Sequence, residues 1–303
     1  MELRHLRYFR AVAENQSFTR AARELHISQS GISGQISDLE NELGVRLLLR
    51  NRHQVSLTPA GELFLRETQD ILRHSEEAVA ITVRASKGEV GRLAIGLCGP
   101  ATAPFLPRLI RLFRRRRPEV ELSLKDIEPA RQPHALVRGE IDIGFTRSLP
   151  SAFRRSLLSE LLFREPILAV LPREHALGRE LSLSLNQLAG ERFVLYAREH
   201  APELFDLILV LCRKARFSPR LADTPNQWQS VLTMVEAGEG VALVPASVRH
   251  LRLTGVSVHS LRDRGAEADV ILAWRRTGPA IVRDGFLDLL RNARQEIERA
   301  ILA

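Results

Sequence analysis

The stretch "HISQSGISGQISDLE" (His26–Glu40) joins a regular apolar stripe to a face stripped of bulk. Ile32, Ile36, Leu39 and, one turn on, Leu43 recur at helical spacing and predict the buried side of an α-helix. Opposite them fall Ser30, Ser33, Gly34 and Ser37, flanked by Gln29 and Gln35. A face turned only to water would carry Glu, Lys or Arg, which are better helix formers. Gly31 and Gly34 instead weaken the helix, each by roughly 1 kcal/mol relative to alanine. Low-profile hydroxyls and amides suit base edges: glutamine pairs with adenine, and serine reaches either kind of base. Lack of bulk lets the backbone sit deep in a major groove. Ser28, the expected cap, joins Gln29, Ser30, Ser33, Gly34 and Gln35 as the candidate DNA contacts of this helix. Downstream, Arg50, Arg52 and His53 cluster near the tip of "VRLLLRNRHQVSLT" and read as phosphate contacts, which position without reading sequence.

Several elements must hold that face in place. Leu6, Phe9 and Ala13 mark a first helix. Ser17 caps a second, "FTRAARELH", which buries Phe18, Ala21, Ala22 and Leu25. A tight turn at His26–Ile27 then leads into the quoted helix, giving a helix-turn-helix. Gly44 ends that helix, and the two short strands after it form a wing. Thr58–Pro59 opens a long helix that runs to about Lys87–Gly88. Its residues Phe64, Thr68, Ile71, Ser75, Ala78 and Thr82, alternately four and three apart, fit a weak two-stranded coiled-coil seam. A helix packed on its own domain would share part of that pattern.

From Arg92 onward strands and helices alternate, predicting α/β layers with largely parallel sheets and a last helix from about Pro279. Ligands of such sheets lie beyond the carboxyl ends of strands. Two strand ends stand out. After "AIGL" come Cys98, Gly99, Pro100, Ala101 and Thr102, where backbone N–H groups at a helix start could hold a carboxylate and Thr102 is the candidate hydroxyl donor. After "IDIGF" comes Arg147, which either grips a carboxylate bidentately or forms a structural ion pair.

The chain has 303 residues, 45% hydrophobic and 26% charged, with a formal net charge of +8 carried almost wholly by arginine. This balance excludes disorder and suits an anionic partner, nucleic acid or small carboxylates. Cys98 and Cys212 have no ligand spacing, and no P-loop, HExxH or GxSxG occurs. No enzyme, metal or cofactor is therefore expected. His134, His175 and His259 read as isolated surface residues, and Arg114–Arg117 as a solvated helix end. The N-terminus has no signal-peptide pattern, and the longest apolar run, Leu207–Cys212, is too short to span a bilayer. A cytoplasmic protein without membrane contact is expected.

The run from Met1 to "LTPAGE" at Glu62 resembles, without a gap, the N-terminal domain of the LysR-type transcriptional regulators. Many relatives carry arginine at Gly34 and a bulkier residue at Gly31; a subset with a small residue there includes regulators of aromatic-acid breakdown. The resemblance implies an all-α winged helix-turn-helix (1–58), a linker and dimerisation helix (59–89), and a two-lobed α/β effector domain (90–303) like periplasmic solute-binding proteins. Lobe I would be 90–163 plus 267–303, and lobe II 164–266. It implies double-stranded operator DNA as partner, a homodimer or homotetramer, RNA polymerase as a further contact, and a small effector, an aromatic or related carboxylate. Relatives often have a hydroxyl residue where Pro100 stands. Tyr196, Arg198, His200, Gln227 and Trp228 would face the cleft. Two alternatives are a redox sensor using Cys98 and Cys212, and a solute-binding protein, against which the helix-turn-helix speaks.

Overall fold

A computed structural model describes residues 1–50, 55–251, 254–278 and 280–302; the side chains of Arg50, Glu298 and residues 300–302 lie outside the description. The chain forms two compact units, Met1–Ala85 and Ser86–Ala303.

The first unit holds α1 (Leu3–Asn15), α2 (Phe18–Glu24), α3 (Gln29–Leu43), β1 (Leu48–Arg50), β2 (Val55–Leu57) and nearly all of α4 (Pro59–Ser86). Phe9, Val12, Ala21, Ala22, Ile32, Ile36, Leu39 and Leu47 make one core. Ser17 accepts the Arg20 N–H at 3.3 Å and Ser28 accepts the Gly31 N–H at 3.1 Å, so both expected caps form. Gly44 ends α3 at φ +70°, in the left-handed region. Leu43, expected on the buried stripe, is exposed. At that last turn the core positions pass to Leu47 and Leu48, as the chain leaves the helix for the wing.

A buried carboxylate fastens the wing to α3. Glu40 accepts the Leu47 N–H at 2.7 Å and the Leu48 N–H at 3.0 Å, and Arg46 pairs with it at 3.4 Å. β1 and β2 pair antiparallel, Leu48 opposite Leu57. Thr58 caps α4 by accepting the Gly61 N–H at 2.9 Å and donates to the Arg46 carbonyl at 2.8 Å. Only glycine fits at 61, because a Cβ there would fall on the Leu47 carbonyl. Along α4, Thr68 and Leu72 are buried, whereas Ile71, Val79, Ile81 and Val83 are exposed.

The second unit runs β3 (Val90–Leu97), α5 (Leu106–Arg116), β4 (Glu119–Asp126), α6 (Gln132–Arg138), β5 (Ile143–Thr146), β6 (Leu157–Pro172), β7 (Ser182–Leu183), β8 (Arg192–Val194), α7 (Pro202–Lys214), β9 (Arg220–Asp223), α8 (Trp228–Glu236), β10 (Ala242–Pro245), β11 (Val256–Leu261), β12 (Glu267–Arg275), α9 (Ile281–Asn292) and α10 (Arg294–Leu302). The single expected C-terminal helix is thus two, broken at Ala293. Strand order is β4-β3-β5-β12-β6-β11-β7, with β10 also on β6, and β8 and β9 form a separate pair.

The sheet is mixed, which corrects the expectation of largely parallel pairing. β3 runs parallel to β4 and β5, but β12 is antiparallel to β5 and β6, and β10 and β11 are antiparallel to β6. The reason is the crossing between lobes. β6 is a 16-residue strand that leaves lobe I, and β12 returns beside it, so the two must run in opposite directions. Leu162 and Phe163 of β6 and Val270 of β12 belong to one core, with Ile95, Phe105, Phe145 and Phe286. Ile167 of β6 and Ala268 of β12 belong to another, with Phe193, Ile208 and Leu243. Glu165 lies opposite Ala268 at this crossing.

Candidate functional site

On α3, Ser28, Gln29, Ser30, Gly31, Gly34 and Asp38 are exposed, and Ser33, Gln35 and Ser37 are half-buried. The two glycines have different causes. A Cβ on Gly31 would come within 2.9 Å of the capping Ser28 hydroxyl, so Gly31 serves the cap. A Cβ on Gly34 would meet nothing within 4 Å. Nothing among the described residues of the unit requires Gly34, and it leaves the outward face without bulk beside Ser30. Gln35 keeps its Oε1 buried without a hydrogen-bond partner. Arg52 and His53 lie outside the described residues; Arg50 ends β1, with its side chain likewise outside the description.

In the second unit, a cavity of about 160 Å³ opens where the lobes meet. Lobe I supplies Cys98 and Gly99 from the end of β3, Asp126 to Pro129 from the end of β4, and Arg147 from the end of β5. Lobe II supplies Tyr196, Ala201 and Leu204 around the start of α7, and Gln227 and Trp228 at the start of α8. Tyr196 and Trp228 stack, ring centroids 4.5 Å apart and planes 15° apart. Burial, helped by the nearby Glu128, Cys98 and Asp126, pushes the Tyr196 phenol up to about 12, so it stays a hydrogen-bond donor at neutral pH.

The expected set is brought together only in part. Gly99, Arg147, Tyr196, Gln227 and Trp228 line the cavity, and Pro100 borders an adjoining hollow beside Trp228. Ala101 is packed in the lobe I core, and the Thr102 hydroxyl donates to the Gly99 carbonyl at 3.2 Å within its own turn. Arg198 does not line the cavity; it is exposed and bidentate to Asp206, at 2.8 and 2.9 Å, which holds that carboxyl below its ordinary range. His200 sits behind the wall, 3.5 Å from Glu128.

Arg147 proves to be an ion-pair residue. Its guanidinium meets Glu165 at 2.7 Å, with 7% and 0% of the two side chains exposed. Glu165 also accepts the Ser247 N–H at 2.8 Å. Burial disfavours the charged guanidinium, but Glu165 and the Cys98 sulfur outweigh it and raise the Arg147 pKa. The pair thus links β5, the lobe crossing and the turn after β10. Asp126 and Glu128 are the charged cavity residues that sequence reasoning missed. Their one available signal was position, at the end of the strand "ELSLKD", where ligands of such sheets are expected.

Residues 3–62 match the family described as bacterial regulatory helix-turn-helix protein, lysR family, and residues 86–295 match the LysR substrate binding domain. The chain belongs to the LysR family of transcriptional regulators. Among relatives, the transcriptional regulator AlsR of Bacillus subtilis is 36% identical over 276 residues, 91% of each chain. CatR of Pseudomonas putida is 38% identical over 91% of this chain and 93% of its own. Full-length CbnR, solved with its target DNA, superposes with a TM-score of 0.81 at 27% identity, covering 97% of this chain and all of that one. Full-length BenM gives 0.60 at 32% identity, over 98% and 97%. This LysR-family regulator therefore joins a DNA-binding winged helix-turn-helix to a two-lobed effector domain. No helix among the described residues is long and apolar enough to cross a membrane.

Placement does not favour the redox alternative. Cys98 lies in the lobe I core and Cys212 in the lobe II core, both free and buried. Burial raises both thiols, Cys212 to about 11. A thiol-reactive disulfide at pH 8 is expected to label neither cysteine within minutes in the native protein, and both after unfolding. Fast labelling of either one in the folded state would reinstate a reactive cysteine. His259 also departs from expectation: it is buried and bonded through its two ring nitrogens to the Glu180 carbonyl and Ser257, at 2.6 and 2.8 Å.

Proposed function

We propose that this regulator reads operator bases through Gln29, Ser30, Ser33, Gly34 and Gln35 of α3, with Ser28 and the wing residues Arg50, Arg52 and His53 at the phosphates. The exposed apolar residues of α4 support dimerisation in a cytoplasmic homodimer or homotetramer, which presents paired recognition helices to successive major grooves. The effector binds in the cavity at the lobe junction. Similarity to CatR and BenM supports a place among regulators of aromatic breakdown.

One observation carries the coupling of DNA binding to effector: both lobes wall the cavity. A molecule held there touches Asp126 and Arg147 on one side and Tyr196 and Trp228 on the other. It therefore favours one lobe arrangement over others, which is what a population shift requires. The DNA half of the reading is tested by selecting bound duplexes from a random pool with the full-length chain. The expected outcome is a near-palindromic site with half-sites about one helical turn, or a multiple of it, apart. Recovery of unrelated duplexes with no enriched sequence would falsify it.

A further inference from the structure

The charge around the cavity does not suit the carboxylate that the family resemblance implies. Arg147 is the one cation among the described lining residues, and Glu165 already neutralises it at 2.7 Å. Two further carboxylates, Asp126 and Glu128, also line the space. Asp126 makes no side-chain hydrogen bond or ion pair among the described residues. Glu128 is offset only at a distance, by Arg131 at 3.8 Å and His200 at 3.5 Å. The first turn of α7 brings partial positive charge, but Glu203 in that turn opposes it while accepting a hydrogen bond from Ser148 at 2.8 Å.

The hydroxyl donors expected at the end of β3 do not reach the cavity. Pro100 has neither a hydroxyl nor an N–H, and Thr102 turns its hydroxyl inward to Gly99. The neutral donors left at the wall are the Tyr196 phenol, the Gln227 amide and the Trp228 indole. An added carboxylate would stand beside Asp126, which is exposed, and Glu128, whose side chain is 35% exposed, and would be repelled by both through partly screened space. A cation would meet two carboxylates and the faces of an aromatic pair, both attractive.

We propose that the cavity selects a small molecule bearing a protonated amine over a carboxylate of the same size. Asp126 and Glu128 take the ammonium group, and the Tyr196–Trp228 stack takes the apolar body. This rests on the reading that the cavity is the effector site. Its volume of about 160 Å³ is close to that of engineered cavities of roughly 150 Å³ that hold benzene, so a single ring with a short arm fits.

The test uses near-isosteric probes on the purified full-length chain by titration calorimetry: benzylamine and 2-phenylethylamine, benzoate and phenylacetate, and benzyl alcohol. The amines are expected to bind at least roughly tenfold more tightly than the acids, the worth of one charge-assisted hydrogen bond. Glu128→Gln and Asp126→Asn should each remove most of that preference, and Trp228→Ala should weaken amines and alcohol alike. Acids binding as well as amines, or better, overturn the inference, and sensitivity of their binding to Trp228→Ala would leave the cavity reading standing. Amine binding unchanged in both carboxylate variants also overturns it. If no probe binds, this inference and the cavity reading fall together.

Discussion

Gly34→Glu is expected to leave the chain folded and to lower its affinity for a selected operator duplex by roughly a hundredfold or more. The fold has room for the change, since a Cβ at 34 meets nothing within 4 Å. Loss of glycine in a helix interior even favours α3, by up to about 1 kcal/mol. On the proposed reading the cost falls on the DNA complex, where a carboxylate on the outward face of α3 would stand against phosphates and base edges. Gel-shift titrations at fixed salt measure it, because phosphate contacts make affinity salt-dependent. Thermal unfolding confirms that the variant is folded. An affinity within about threefold of the native chain would remove the outward face of α3 from base contact.

Glu165→Ala is expected to destabilise the second unit by about 3–5 kcal/mol, because it strands the Arg147 guanidinium in a buried site. A loss of that size lowers the unfolding midpoint by on the order of 10 °C. The Ser247 N–H loses its acceptor in the same change. Replacing both partners, Arg147→Met with Glu165→Leu, should restore most of the loss, since apolar side chains of similar volume remove the stranded charge. Differential scanning calorimetry of the two singles and the double closes the cycle. A cost below about 1 kcal/mol for Glu165→Ala would show that the pair does not hold the lobe crossing.

Helix α3 was legible because cap, period and stop agreed. Ser28 capped it, Gly44 closed it, and Ile32, Ile36 and Leu39 repeated at a helical period. Where the fold was misread, long-range pairing decided the outcome. The residues "LLSELLFRE" had no clean alternation, yet they form half of β6 because β12 lies beside them from the far end of the chain. The cavity was half legible for a similar reason. Trp228 and Gly99 could be placed at element ends, but only the fold brings Trp228 and Asp126 to one space. Arg198 was misassigned because its partner, Asp206, lies one helix entry away on an exposed face. Glu165 offered no local sign at all. A glutamate in a strand reads as solvent-facing until the topology buries it against Arg147.

The position of β12 has a consequence for biosynthesis. Lobe II is encoded by one continuous stretch, but β12 stands between β5 and β6 in the sheet of lobe I. That sheet cannot close until nearly the whole polypeptide has left the ribosome. Nascent chains should therefore acquire a protease-resistant lobe II first, while β5 waits with an open edge for a strand synthesised more than a hundred residues later. Such late, distant pairing is slow and exposes the waiting strands to aggregation.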